Sequence, residues 1–349
     1  MSEIGVGVIG LGFMGKTHLG AYAKAAASGV PCRVVAVSDR DPEGALTRAA
    51  AGNLDTGSGP AVPPGARRYR EAMGLLADPA VDLVSVCTPT DTHATLALAA
   101  LRAGKHVVVE KPLALTTAEV RAIAEESARR PGQVCMPGMV MRFWPGWPWL
   151  KERIDEARRG GGSFGAFVGL TLQRLGAGPT WNPGFYRDPS RTGGALTDLH
   201  VHDVDFLCWC LGIPERVDSA GTLDHVTTVY RYGAAGPHHA AAQGGWGLAP
   251  GFPFAIRYTA MFDRATAVFD LAATPALTLY RDRRAEHPDV PRESAYDLEI
   301  LHALGAVASA KRRETFELRA TVADALAASR VLDAERASLA SGRPESVAP

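Results

Sequence analysis

Lysine is scarce in this chain: 6 residues, against 31 arginines, make up its 37 basic side chains. With alanine and glycine abundant, the skew reads as a GC-rich coding bias, but it makes each lysine worth individual attention. Neither sign of charge dominates. Lys+Arg and Asp+Glu both total 37, so the formal net charge is zero, and the basic excess of a nucleic-acid binder is missing. Long apolar runs are missing too. No stretch reaches the roughly 18 uninterrupted apolar residues of a membrane span, so no membrane contact is expected. Residues 1–15 carry Glu3, lack a basic leader, and are broken by glycines. They read as a strand and turn, not a signal peptide. The five cysteines (Cys32, Cys87, Cys135, Cys208 and Cys210) are odd in number and contain no C-x-x-C pair. That argues against a disulfide or zinc framework and for reduced, mostly buried thiols in the cytoplasm.

What is present is ordinary globular composition, 46% hydrophobic and 21% charged over 349 residues. The length suggests about two domains. The first third alternates strand and helix signals: strands at 4–9, 33–38, 83–87 and 106–110, with helices at 14–27 and 93–103. This predicts a doubly wound parallel sheet covered on both faces. A Gly/Pro-rich exposed loop is expected at 52–65. Beyond about residue 130, long strand patterns at 164–175, 216–232, 240–248 and 254–271 predict one large, mostly antiparallel sheet. Helices are expected at 148–159, 194–210 and 320–339. The fold class is therefore α/β, with a dinucleotide-binding domain over 1–130 and an α+β substrate and oligomerisation domain over 131–349. The C-terminal helix is expected to pack back on the first domain.

Gly10-Leu11-Gly12-Phe13-Met14-Gly15 reads G-x-G-x-x-G. The pattern alone is weak, but here it follows a strand and opens a helix. Gly10 permits a tight turn, Gly12 a close approach to pyrophosphate, and Gly15 tight helix–strand packing. The helix N-terminus then offers unpaired N–H groups to phosphate. Asp39, 24 residues beyond Gly15 at the end of the next strand, suits the adenosine ribose hydroxyls and would repel a 2′-phosphate. That favours NAD, while Arg40 beside it keeps NADP open.

Three separated motifs are more specific: the glycine run, "VCTPTDTHATLALAALRAGKHVVVEKPLALT" and "GGALTDLHVHDVDFLCW". Together they closely resemble the Gfo/Idh/MocA oxidoreductases, which include glucose–fructose oxidoreductase and inositol dehydrogenase. The resemblance covers nearly the whole chain and is tightest over 1–115 and 193–209. It implies an NAD(P)-dependent dehydrogenase or reductase of a sugar, sugar acid or cyclitol, and a homodimer or homotetramer.

Lys111, just past a parallel strand, stands where open α/β sheets bind ligands. It is expected to hydrogen-bond the reacting oxygen, and the resemblance implies a cis peptide at Pro112. Thr88, Pro89, His93 and Glu110 match positions beside the cofactor, with His93 expected to pack or cap rather than to do chemistry. Asp198, His202 and Asp205 fall at i, i+4 and i+7, one helical face. By the resemblance His202 is the proton acceptor and Asp198 its orienting partner, preceded by Gly193 and Gly194. Asp205 is expected to buttress the helix.

His200 stands where relatives usually have glycine. A metal site from Asp198, His200 and His202 is conceivable, but i and i+2 diverge on a helix, so no metal is expected and His200 is read as packing or lining the substrate pocket. Arg142, Trp181 and Tyr186 are expected substrate contacts, with Arg187 nearby. Arg142 alternatively braces the domain junction. Two rival functions use the same residues: an NAD-dependent glycosidase or lyase working through transient oxidation, and a non-catalytic cofactor-binding protein.

Overall fold

The computed structural model describes residues 3–48, 52, 54, 62–234 and 236–348. The chain forms two compact units, Met1–Phe143 with Glu293–Leu326, and Trp144–Arg292 with Ala327–Pro349. The sequence suggested a single boundary at 130/131. The chain instead changes unit at 143/144, 292/293 and 326/327.

The first unit holds a parallel sheet of β1 (Ile4–Ile9), β2 (Cys32–Ser38), β3 (Arg67–Tyr69), β4 (Leu83–Val86), β5 (His106–Glu110) and β6 (Cys135–Gly138), in the order β3-β2-β1-β4-β5-β6. Every residue of β1 and β4 is buried, as expected for strands covered on both faces. The strand order reverses between β1 and β4, and the crevice beyond the strand ends at that switch point is where such sheets bind ligands. The cradle helix Phe13–Ala27 follows β1, and the helix His93–Arg102 follows β4 after one 3-10 turn. The helix Thr117–Ala128 opens on a full capping box, Thr116 with Glu119. Most of the loop expected at 52–65, namely residues 53 and 55–61, lies outside the described residues.

The helix Ala295–Arg312 belongs to this first unit although it comes late in the chain. Its His302 sits between Phe143 and Phe316, at ring distances of 5.2 and 4.9 Å. The imidazole Nε2 accepts the Arg319 N–H at 3.0 Å. Burial, then the Arg319 charge, push its pKa down to about 4. An imidazole whose folded pKa lies below the unfolded value stays neutral in the fold, and its stabilising contribution is lost as pH falls from about 6.5 toward 4. The ring is half-exposed, so solvent screening reduces the expected loss to about 1 kcal/mol. His302→Gln is expected to flatten the decline in Tm over that pH window, measured by calorimetry.

The second unit holds a nine-stranded sheet of β7 (Phe167–Ala177), β8 (Arg216–Thr222), β9 (His225–Arg231), β10 (His239–Leu248), β11 (Ala255–Phe262), β12 (Thr266–Asp270), β13 (Leu277–Arg281), β14 (Arg284–Glu286) and β15 (Glu345–Ser346). Its order is β14-β13-β12-β11-β7-β10-β9-β8-β15. All neighbours are antiparallel except β7 with β10. The patterns read as single strands at 216–232 and 254–271 are each two strands. The first folds at Leu223-Asp224, where the Thr222 hydroxyl accepts the N–H groups of Asp224 and His225 at 3.2 Å. Trp147, fully buried, packs edge-on against Phe206, Tyr258 and Phe269. This cluster joins the helices Trp147–Arg158 and Val201–Leu211 to one face of the sheet.

Four of the five cysteines are buried, and none is in a disulfide. Burial pushes the Cys32 and Cys135 thiols up to about 11 and about 12, which leaves them unreactive. Among the described residues, no helix is long and apolar enough to cross a membrane.

Candidate functional site

The first unit contributes a cradle. Gly10 has φ +89°, and a Cβ there would stand 2.6 Å from the Cys87 carbonyl oxygen. A Cβ on Gly15 would stand 1.8 Å from the Gly10 carbonyl oxygen. Around Gly12, by contrast, no atom beyond its adjoining residues lies within 4 Å of such a Cβ. The chain is thus drawn tight at Gly10 and Gly15 and left open at Gly12, at the N-cap of the cradle helix. No acidic residue stands in that helix's first turn, so its positive end is not neutralised. Open space, donor N–H groups and a positive helix end fit a pyrophosphate. Phe13 and Met14 are half-buried at the mouth.

Asp39 does local work as well. Its carboxylate accepts the Leu11 N–H at 2.9 Å and the Asp41 N–H at 3.0 Å, tying the end of β2 to the cradle. Arg40 is exposed. Lys16 was not singled out in the sequence. It is 2% exposed and donates to the Arg48 carbonyl. Burial, then the charge of Arg48, lower its pKa.

At the neighbouring strand ends, the Lys111-Pro112 peptide is cis. His93 is buried, with Nδ1 2.8 Å from the Pro112 carbonyl oxygen and Nε2 2.8 Å from that of Thr88. Burial lowers its pKa despite both carbonyls. The ring therefore sits between the segment after β4, with Thr88 and Pro89, and the segment after β5, and as a neutral imidazole it donates its one N–H to one of the two carbonyls. Lys111 is half-buried, and its N–H donates to Glu110 Oε2 at 3.2 Å. Glu110 Oε1 lies 2.9 Å from His18 Nε2, His18 Nδ1 lies 3.0 Å from Ser85 Oγ, and Ser85 bonds Tyr22 at 2.8 Å. His18 and Tyr22 lie one and two turns into the cradle helix, so this buried polar chain links that helix to the residue preceding Lys111. The sequence reading missed it, although a polar residue one turn beyond Gly15 was a visible signal.

Arg142 is corrected as a substrate contact. It is 1% exposed, lies 3.1 Å from Asp324, and donates to the Arg319 carbonyl at 2.7 Å. A guanidinium so buried braces the first unit and does not meet a ligand.

In the second unit, the helix expected over 194–210 is two helices, Gly194–Asp198 and Val201–Leu211, broken at Leu199-His200. Asp198 ends the first and is half-buried, while His202 lies in the first turn of the second at 9% exposure. Asp205 is buried. Asp224, in the β8–β9 turn, was not anticipated. Its Oδ1 accepts the Ala195 N–H at 3.2 Å and the Trp246 indole N–H at 2.9 Å. Trp246 meets Tyr186 edge-on at 5.6 Å, and Tyr186 meets Trp181 at 5.5 Å. Burial, then the charge of Asp198, raise the Tyr186 pKa. Trp181 and Tyr186 thus form an aromatic wall beside Asp198, while Arg187 is exposed. His200 is fully buried. Among the described residues, the His/Asp/Glu group with metal-like spacing is His18, Glu110 and Glu299, not Asp198, His200 and His202.

The fold and cradle define an NAD-binding chain of the oxidoreductase type. Residues 4–139 match the "Oxidoreductase family, NAD-binding Rossmann fold" of GFO_IDH_MocA, and residues 150–243 match the "GFO/IDH/MocA C-terminal domain". The chain belongs to this family. It is 34% identical over 207 residues to inositol 2-dehydrogenase 2 of Saccharopolyspora erythraea, covering 59% of this chain and 53% of that protein. It is 31% identical over 255 residues to levoglucosan dehydrogenase of Pseudarthrobacter phenanthrenivorans, covering 68% and 61%. These alignments therefore span only about half to three-fifths of those relatives. Among solved structures, the oxidoreductase domain protein from Kribbella flavida is similar in fold over the whole of both chains, with TM-score 0.81 and 25% identity. A levoglucosan dehydrogenase complex with NADH and levoglucosan has TM-score 0.80 and 20% identity, again over both whole chains.

Proposed function

We propose that this protein is an NAD-dependent dehydrogenase of a sugar, sugar acid or cyclitol, acting on one secondary hydroxyl or, in reverse, on the ketone. The observation that carries the reading is the open cradle at Gly12 together with Lys111, held at the end of β5 by Glu110 and His93. The similarity to inositol and levoglucosan dehydrogenases supports the substrate class. NAD, when bound, accepts or supplies the hydride.

The chain's own residues do the rest. Lys111 donates a hydrogen bond to the reacting oxygen and stabilises its developing charge. His202 takes the hydroxyl proton in oxidation and returns it in reduction. Asp198 orients that imidazole and balances its charge. Trp181 and Tyr186 cover the apolar C–H face of a polyol, leaving its hydroxyl edge to polar groups. A homodimer or homotetramer formed through the sheet of the second unit belongs to the same reading, and light scattering checks it.

The test is NADH absorbance and thermal shift with NAD and NADP across a panel of sugars and cyclitols. Absence of both a nucleotide-induced shift and any substrate-dependent NADH would sink the reading. Asp39 sets the choice of nucleotide. Two like charges about 4 Å apart near a surface repel by about 1–4 kcal/mol, so Asp39→Ala is expected to raise kcat/KM for NADP relative to NAD by about 10- to 100-fold.

A further inference from the structure

The break between the helices Gly194–Asp198 and Val201–Leu211 lies between the two residues whose spacing the proposed chemistry needs. It is not a regular turn. The His200 N–H reaches back five residues to the Ala195 carbonyl at 2.8 Å, and the His202 N–H reaches Leu199 at 3.4 Å. The i, i+4 spacing of one continuous helix therefore does not set where His202 stands relative to Asp198, and side chains packed on the break bear on it.

His200 sits at this break, fully buried among charged groups from the elements around it. Its Nε2 lies 3.0 Å from the Tyr230 hydroxyl on β9 and 3.4 Å from Glu335 Oε2 on the C-terminal helix Val322–Ser341. Its Nδ1 lies 3.9 Å from Asp203 on its own helix. Asp203 is gripped by Arg174 of β7, with Nε at 3.2 Å and Nη2 at 2.9 Å. Glu335 and Asp203 are both fully buried, and Arg174 nearly so. On β10 the ring faces Gly244, where a Cβ would stand 2.5 Å from Nδ1 and 2.9 Å from the His200 Cβ. The strand has made room for this side chain.

The geometry favours a proton on the ring, whose Nε2 lies within ion-pair distance of Glu335. Burial by itself depresses the His200 pKa. The charges of Glu335 and Asp203 outweigh burial and the opposing Arg174, and the net direction is up. Glu335 also raises the pKa of Tyr230, behind burial as the main cause, so Tyr230 stays a neutral phenol.

We propose that His200 is a positioning residue: as a buried cation between Glu335 and Asp203, seated in the space left by Gly244, it fixes the break and so sets where His202 stands relative to Asp198. The inference rests on the proposed function for its consequence in turnover, but not for its geometry. It places control of the proton acceptor in a residue that touches no substrate.

The experiment uses the full chain. Histidine side-chain ¹³C/¹⁵N spectra of wild type, H200Q and E335Q are recorded from pH 6 to 9, with kcat and KM measured alongside. A cationic imidazole is expected to persist above the ordinary histidine range, to vanish in H200Q, and to titrate lower in E335Q. The His202 signal is expected to shift and to change its titration midpoint in both variants. Where misplacement approaches 1 Å, kcat falls by about 10- to 100-fold while the KM for NAD holds. G244A is expected to lower Tm, and H200G/G244A to recover part of that loss. Should these variants fold poorly, E335Q retains the shape of the site and alone carries the spectral test. An unchanged His202 signal in both H200Q and E335Q overturns the inference whether or not the protein turns over a polyol. Absence of turnover in wild type, with the His202 shifts present, counts against the proposed function alone.

Discussion

His202→Ala is expected to lower kcat by about 10²- to 10⁴-fold, the usual contribution of a positioned acid or base, with NAD affinity unchanged. The separation follows from where the residues lie. His202 begins a helix of the second unit, and the glycine cradle belongs entirely to the first. Lys111→Ala is expected to cost about 10²- to 10³-fold, as removal of one donor to a developing oxyanion does. Here too the cradle survives, because the backbone N–H of residue 111, which donates to Glu110, is kept in the variant. Steady-state NADH production combined with NADH fluorescence titration separates turnover from binding. Wild-type turnover in either variant removes that residue from the assignment.

The second large effect is a contrast between two glycines of the same motif. Gly12→Ala is expected to leave Tm near wild type and abolish measurable NAD binding. The new methyl meets no atom beyond the adjoining residues within 4 Å and Gly12 is exposed, so only the nucleotide's space is filled. Gly15→Ala is expected to lose both. Its methyl would stand 1.8 Å from the Gly10 carbonyl oxygen, a backbone atom that cannot move aside without opening the turn. Overpacking of this kind costs about 1–3 kcal/mol or more. Thermal melts with and without NAD distinguish the two. A Gly12→Ala protein that binds NAD normally would mean that the pyrophosphate does not lie over that position.

Much of this was legible in local pattern. Four of the six parallel strands announced themselves as short β-branched runs, and His106–Glu110 was read with its bounds unchanged, whereas β3 (Arg67–Tyr69) and β6 (Cys135–Gly138) carry no such run and were missed. The cradle was legible because each of its glycines answers a local steric demand. Other features depend on distant partners. Arg142 looks like a ligand contact until Asp324, 182 positions later, takes its guanidinium. Glu335 sits in a helix with no local mark of its connection to His200. The break at Leu199-His200 was hidden because i and i+4 spacing reads as one helix however the backbone winds between them. The β8–β9 turn lacks the Asn-Gly or Asp-Gly signal of a two-residue hairpin, so two strands read as one.

The interleaving of the two units along the chain has a consequence for the gene. A reading frame ending at residue 130 encodes the glycine cradle, but not β6 or the helix Ala295–Arg312. That helix contributes Asp297, 2.7 Å from Lys24, and Lys311, 2.8 Å from Asp82. The nucleotide-binding half is therefore not an exchangeable cassette. A swap of the 5′ portion alone would separate Lys24 and Asp82 from the partners that Asp297 and Lys311 give them here.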